Sequence, residues 1–148
     1  MCSVARALEA IGDRWTMLVI RDAFRGVSRF EDFQQRLGIA RNVLTQRLSK
    51  LVAAGVLERR AYQEKPVRHA YVLTAKGRDL WPVLNAMRQW GDRHAAPGGP
   101  PVELVHRGCG HSAELLVTCA HCGEPVGPRD VRAHHGRGAP EALRGLPL

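Results

Sequence analysis

Two short stretches near the C-terminal end carry residue types at the spacing of metal knuckles. His106-Arg107-Gly108-Cys109-Gly110 and Cys119-Ala120-His121-Cys122-Gly123 each set two ligands three positions apart, with a glycine after the second. Nine residues separate Cys109 from Cys119, enough for two short strands, and Ser112 to Thr118 reads as strand-like. Three thiolates and one imidazole (His106, Cys109, Cys119, Cys122) form a tetrahedral donor set for Zn²⁺. His111 can stand in for His106, and His121 reads as an exposed knuckle residue. Four protein ligands leave no open position, so the expectation is one structural Zn²⁺ per chain. The competing reading is a ribbon that packs without metal. Paired knuckles are more specific than a lone Cys-x-x-Cys.

A second constellation lies earlier, on a helix expected from Arg41 to about Ala54. Asn42, Thr45 and Gln46 are short polar groups suited to base edges. Arg41, Arg47 and Lys50 are long cations suited to phosphates. Arg29 falls at the start of the preceding helix, where free backbone N–H groups also favour an anion. Lys65 and Arg68 fall in a polar, Pro-containing segment. The bland reading of all nine is an ordinary solvated face. Cys2 stands apart, at the start of the first helix, where the helix dipole and Arg6 favour the thiolate.

The elements that must hold these groups follow from periodicity. Val4, Ala7, Leu8 and Ile11 mark a helix from Cys2 to Ile11 with Ser3 as its cap. Asp13 can cap the next, Arg14 to about Arg25. Phe30, Phe33 and Leu37 share a face of a short helix that Gly38 stops. After a tight turn, Leu44, Leu48, Leu51 and Val52 face inward on the helix ended by Gly55. Strands are expected over Val56–Tyr62 and His69–Leu73, joined by a loop over 63–68. Thr74 caps a helix running to His94, with Pro82 giving a kink or a short first helix. A Pro/Gly linker spans 95–101, a ribbon-like unit 102–133 and a loosely ordered tail 134–148. The fold class is thus mainly α with a β-hairpin wing, a winged helix-turn-helix (α+β), plus a small β-rich C-terminal unit.

Charge agrees with this division. Residues 1–94 hold 17 Lys/Arg against 9 Asp/Glu, a net +8, whereas residues 95–148 hold 5 against 5. A basic first unit suits a polyanion. The sequence has no run of apolar residues long enough to span a membrane and no secretory leader, and few cysteines, so a reduced, cytoplasmic protein is expected. No G-x-S-x-G, phosphate loop or H-E-x-x-H occurs, so an enzyme is not expected. Leu80, Val83, Leu84, Met87 and Trp90 cover more than one face of the last helix. Such a surplus calls for a partner, and a homodimer through Val4, Leu8, Leu84, Met87 and Trp90 is the expectation.

Gly12-Asp13-Arg14-Trp15-Thr16, Arg29-Phe30-Glu31-Asp32-Phe33 and Val43-Leu44-Thr45-Gln46-Arg47-Leu48 resemble the HxlR family of bacterial winged-helix transcription regulators. Leu51 to Leu57, Tyr71-Val72-Leu73-Thr74 and Gly77-Arg78 continue the likeness, over about residues 2–94. The resemblance implies a DNA-binding regulator that acts as a homodimer on operator DNA and responds to a small molecule or an oxidant. It also implies that Cys2 is a candidate redox sensor, and some relatives carry a C-terminal extension of the ribbon kind. The alternative is a protein- or RNA-interaction module in which the winged helix serves dimerisation.

Overall fold

The structure, a computed structural model, describes residues 2–144. The chain divides into two compact units between Val102 and Glu103. The first contains α1 (Ser3–Ile11), α2 (Arg14–Phe24), α3 (Phe30–Leu37), α4 (Arg41–Ala53), β1 (Leu57–Glu64), β2 (Val67–Leu73), α5 (Ala75–Arg78) and α6 (Trp81–His94).

Local chemistry sets most boundaries. The Asp13 carboxylate accepts from Thr16 N–H at 3.0 Å and so caps α2. Gly38 ends α3 in the left-handed region, φ 62°, where a side chain would be strained. At the exit of α4, Gly55 takes φ 69° and Val56 N–H reaches the Leu51 carbonyl at 2.9 Å, the paired-bond ending that satisfies orphan helix carbonyls. The segment after Thr74 is two helices rather than one kinked helix. Pro82 lies in the first turn of α6, where its missing N–H costs nothing.

Three expectations are corrected. Cys2, not Ser3, occupies the N-cap of α1, and no side-chain bond caps that helix. The hairpin is longer than its polar composition suggests: β1 reaches Glu64 and β2 begins at Val67, so Arg68 lies within a strand opposite Gln63. Backbone pairing continues past the point where apolar alternation stops. Ser112–Thr118 is not a strand; its two ends form isolated bridges, Val105 with Ser112 and Thr118 with Pro125.

The core of the first unit gathers Val19 and Ile20 of α2, Phe33 of α3, Leu44, Leu48 and Leu51 of α4, and Leu57 at the base of β1. Each such side chain contributes roughly 1.5–3 kcal/mol when fully buried. Asp22 is buried at the edge of this core and holds Arg21 at 2.9 Å and Arg36 of α3 at 3.6 Å. That ion cluster ties α2 to α3. The hairpin is tied on as well. Tyr71 N–H donates to the Ser28 carbonyl at 2.7 Å and Arg29 bridges Ala70, so the approach to α3 acts as a short third strand.

The base of the hairpin is fastened to the exit of α4. The Thr74 hydroxyl donates to the Gly55 carbonyl at 2.6 Å and accepts from Gly77 N–H at 3.0 Å. Lys76 Nζ donates to the Ala54 carbonyl at 2.7 Å. A Cβ at Gly77 would stand 2.2 Å from the Val56 carbonyl oxygen, so only glycine allows this approach.

The second unit is different in kind. From Glu103 onward no described residue is buried, and Leu116 and Val117 are well exposed. Among the described residues, its regular structure is a short 3₁₀ turn, Glu141–Leu143, and isolated bridges that include Val105 with Ser112 and Thr118 with Pro125. Residues 145–148, part of the expected tail, lie outside the described residues. Among the described residues, no helix is long and apolar enough to cross a membrane.

Candidate nucleic-acid interface

Helix α4 has two faces of opposite character. Leu44, Leu48 and Leu51 point into the core, while Arg41, Asn42, Thr45 and Gln46 are exposed. Asn42 Oδ1 accepts its neighbour's Val43 N–H at 2.9 Å, so its NH₂ is the group that can donate outward. The Thr45 hydroxyl donates back to the Arg41 carbonyl at 2.8 Å, which leaves its oxygen as an outward acceptor. Gln46 extends from the same exposed face.

The cations are not equivalent. Arg41 stacks over the Phe30 ring, 4.7 Å from its centroid, and Arg29 over the Tyr62 ring at 4.8 Å. The start of α3, the start of α4 and the outer part of β1 thus share one neighbourhood, with two guanidinium planes held by aromatic faces. Lys65 and Arg68 are exposed on the hairpin. Arg47 and Lys50 are instead half-buried and turned towards Asp13, at 2.9 Å and 3.9 Å.

Asp13 therefore does more than cap α2. Burial pushes its carboxyl up, but the Thr16 hydrogen bonds and the charges of Arg47 and Lys50 outweigh this and hold it below the usual aspartate range. The Thr16 hydroxyl donates to the second carboxylate oxygen. One carboxylate thus links the start of α2 to the outer half of α4. Sequence reading recognised the cap and missed the clamp, because nothing local pairs positions 13 and 47. It also missed Tyr62, whose aromatic face on a solvent-facing strand was the available signal. Arg59 and Arg60 add two exposed cations on β1, Arg59 bonding His69 at 3.0 Å and Arg60 pairing with Glu58.

Of the apolar residues expected at an interface, Val4 (66% exposed), Leu8 (59%), Met87 (53%) and Trp90 (62%) are open to solvent. Leu84 is half-buried against its own core. Cys2 is exposed, and the backbone N–H groups of Ala5 and Val4 pull its thiol below the ordinary value.

In the second unit, His106 Nδ1 lies 3.2 Å from Cys109 Sγ. The Cys119 sulfur faces the N–H groups of Cys122 and His121, which lower its pKa, and it meets the Cys122 side chain. Each pair forms within its own knuckle. Among the described residues, no three His, Cys, Asp or Glu side chains stand together as a ready metal site.

Sequence and fold comparisons agree with this geometry. The sequence family described as HxlR-like helix-turn-helix matches residues 10–98. The uncharacterized HTH-type transcriptional regulator Rv3095 of Mycobacterium tuberculosis is 45% identical over 137 residues, covering 92% of this chain and 87% of its own. Among solved structures, PA1607, a candidate transcription factor, superimposes with a TM-score of 0.82 at 43% identity, over 91% of this chain and 95% of its own. The reduced form of the transcriptional regulator YodB from B. subtilis gives a TM-score of 0.57 at 33% identity, over 66% of this chain and 98% of its own. The matches to Rv3095 and PA1607 thus run well beyond residue 98, whereas YodB covers a length comparable to the first unit alone. With its paired helices α3 and α4, its hairpin and these matches, the chain belongs to the family of HxlR-like helix-turn-helix proteins.

Proposed function

We propose that the protein is a transcription regulator that binds duplex operator DNA as a homodimer. The observation that carries this reading is the divided face of α4, apolar inward and Arg41, Asn42, Thr45 and Gln46 outward. The helix follows a tight turn after α3, the arrangement in which a recognition helix enters the major groove. Asn42, Thr45 and Gln46 read base edges. Arg29, Arg41, Lys65 and Arg68 take phosphates, with the hairpin acting as the wing. Arg47 and Lys50 set the pose of α4 through Asp13 and add positive potential. The exposed apolar residues of α1 and α6 form the dimer contact, which presents two α4 helices about 34 Å apart, one turn of DNA. The protein acts in the cytoplasm, and its signal is a small molecule or an oxidant, with Cys2 the candidate thiol.

A gel shift with the promoter DNA of its own operon, across a salt series, tests this. Gln46→Ala is expected to relax preference at one base pair by about 1–3 kcal/mol. Arg68→Ala should weaken all sequences alike and reduce the salt slope by about one. Parent-like binding by both variants would remove α4 and the wing from the interface. The dimer is tested by sedimentation: Trp90→Asp with Met87→Asp should give a monomer that has lost operator affinity.

A further inference from the structure

The two knuckles of the second unit are the same structure repeated with an offset of 13 residues. His106 N–H donates to the His111 carbonyl at 2.9 Å, and Cys119 N–H to the Glu124 carbonyl at 2.8 Å. Gly110 N–H closes back on the His106 carbonyl at 2.8 Å, and Gly123 N–H on the Cys119 carbonyl at 2.8 Å. Both glycines sit in the left-handed region, φ 74° and 77°. The flanks repeat too: Ala113 N–H reaches the Leu104 carbonyl, Val126 N–H the Val117 carbonyl, and each turn is closed by one bridge. No sequence identity forces this, since the turn residues are Arg107-Gly108 in one and Ala120-His121 in the other. What the two turns share is a nitrogen or sulfur ligand at the first position, cysteine at the fourth and glycine at the fifth.

A second observation is independent of the turns. From Glu103 onward, no described side chain is buried, and the cysteines are free thiols. A unit this small that lacks both a core and a disulfide needs another source of order, and a bound metal is the usual one.

We propose that the second unit binds one structural Zn²⁺ through His106, Cys109, Cys119 and Cys122, one pair from each knuckle. Three thiolates and one imidazole match the preference of Zn²⁺ for tetrahedral sulfur and nitrogen donors. Oxygen-seeking cations such as Ca²⁺ and Mg²⁺ find no carboxylate cage here. In each knuckle the glycine lets the chain fold back. The pairs are not gathered into a ready site, so the ion draws the two turns together, and its binding energy is the ordering energy of the unit. This inference does not depend on DNA binding.

The test uses the full-length chain without a histidine tag, reduced, reconstituted with zinc and dialysed. Elemental analysis should give about one zinc per chain. Cys109→Ser and Cys122→Ser, one in each knuckle, should each fall below about a tenth of an equivalent. Cys2→Ser should keep the full amount. Far-UV circular dichroism of each variant should stay parent-like, because the first unit has its own core. As a measurement free of any substitution, cobalt added to the parent chain should give a thiolate-to-cobalt absorption band that saturates at one equivalent. A parent chain that takes up neither metal, with its thiols freely reactive, overturns the proposal. So does a full equivalent of zinc retained by Cys109→Ser, which would confine the metal to one knuckle.

Discussion

The two units of this chain hold themselves together by opposite means. The first packs apolar side chains from α2, α3, α4 and β1 into one buried cluster. The second buries none of its described side chains, and most of its described backbone bonds lie in two repeated turns. Burial spreads stabilisation over many residues, each worth a few kcal/mol. A cross-link concentrates it on a handful. The first unit should therefore be sensitive wherever its core is touched. The second should tolerate change almost everywhere except at its ligands.

The sharpest contrast is a pair of truncations. Phe33→Ala should destabilise the first unit by about 3–5 kcal/mol in urea unfolding, whereas Leu116→Ala should alter nothing by more than about 0.5 kcal/mol. A comparable loss at Leu116 would mean that the second unit has a core after all. Next in size, chelator treatment of zinc-loaded protein should raise the rate of proteolysis within residues 103–144 on the order of tenfold or more. Cleavage within residues 2–102 should be unchanged, so parallel acceleration of both would break the contrast. Within the first unit, Asp13→Ala removes cap and clamp and should cost about 1–2 kcal/mol. Asp13→Asn keeps a capping oxygen and loses only the charge opposite Arg47 and Lys50, a loss of about 0.5 kcal/mol for a partly exposed pair. If the two variants cost the same, the ionic link to α4 is the dominant part.

Acid gives the smallest and most specific effect. The carboxyl of Asp13 is held below its unfolded value. Its contribution is thus complete above the ordinary aspartate range, about pH 3.9, and is lost as pH falls through the lower folded value. Asp13→Asn should lose its roughly 0.5 kcal/mol at neutral pH and nothing below the folded value, so its acid limb is shallower than the parent's. An unchanged acid limb would assign that limb to other carboxylates.

Most of the first unit was legible because local signals agreed with one another. Leu44, Leu48 and Leu51 mark a helical stripe, Gly38 and Gly55 mark stops, and Thr74 marks a start. The length of the hairpin was not legible: Gln63, Glu64 and Arg68 are polar on both faces of an exposed ribbon, so no alternation reports the pairing. The contacts of Arg47 and Lys50 with Asp13 were not legible from spacing alone. Helical periodicity places both near the outward face, but the carboxylate that turns them aside lies more than thirty residues earlier in the sequence. In the second unit the spacing of the Cys and His residues was plain, whereas the match between the two turns resides in backbone bonds that side-chain identities do not encode.

The fastening at Thr74 has a consequence in time as well as in energy. The Ala54, Gly55 and Val56 carbonyls, which lead out of α4, are met by Thr74 and Lys76, donors that arrive 18 to 22 residues later in the chain. Closing so long a loop carries an entropic delay that a local cap does not. The end of α4 closes locally, but the three carbonyls just past it wait until the hairpin has formed and brought these donors back. In a refolding or newly made chain, the exit of α4 should therefore be fastened only together with the base of the hairpin.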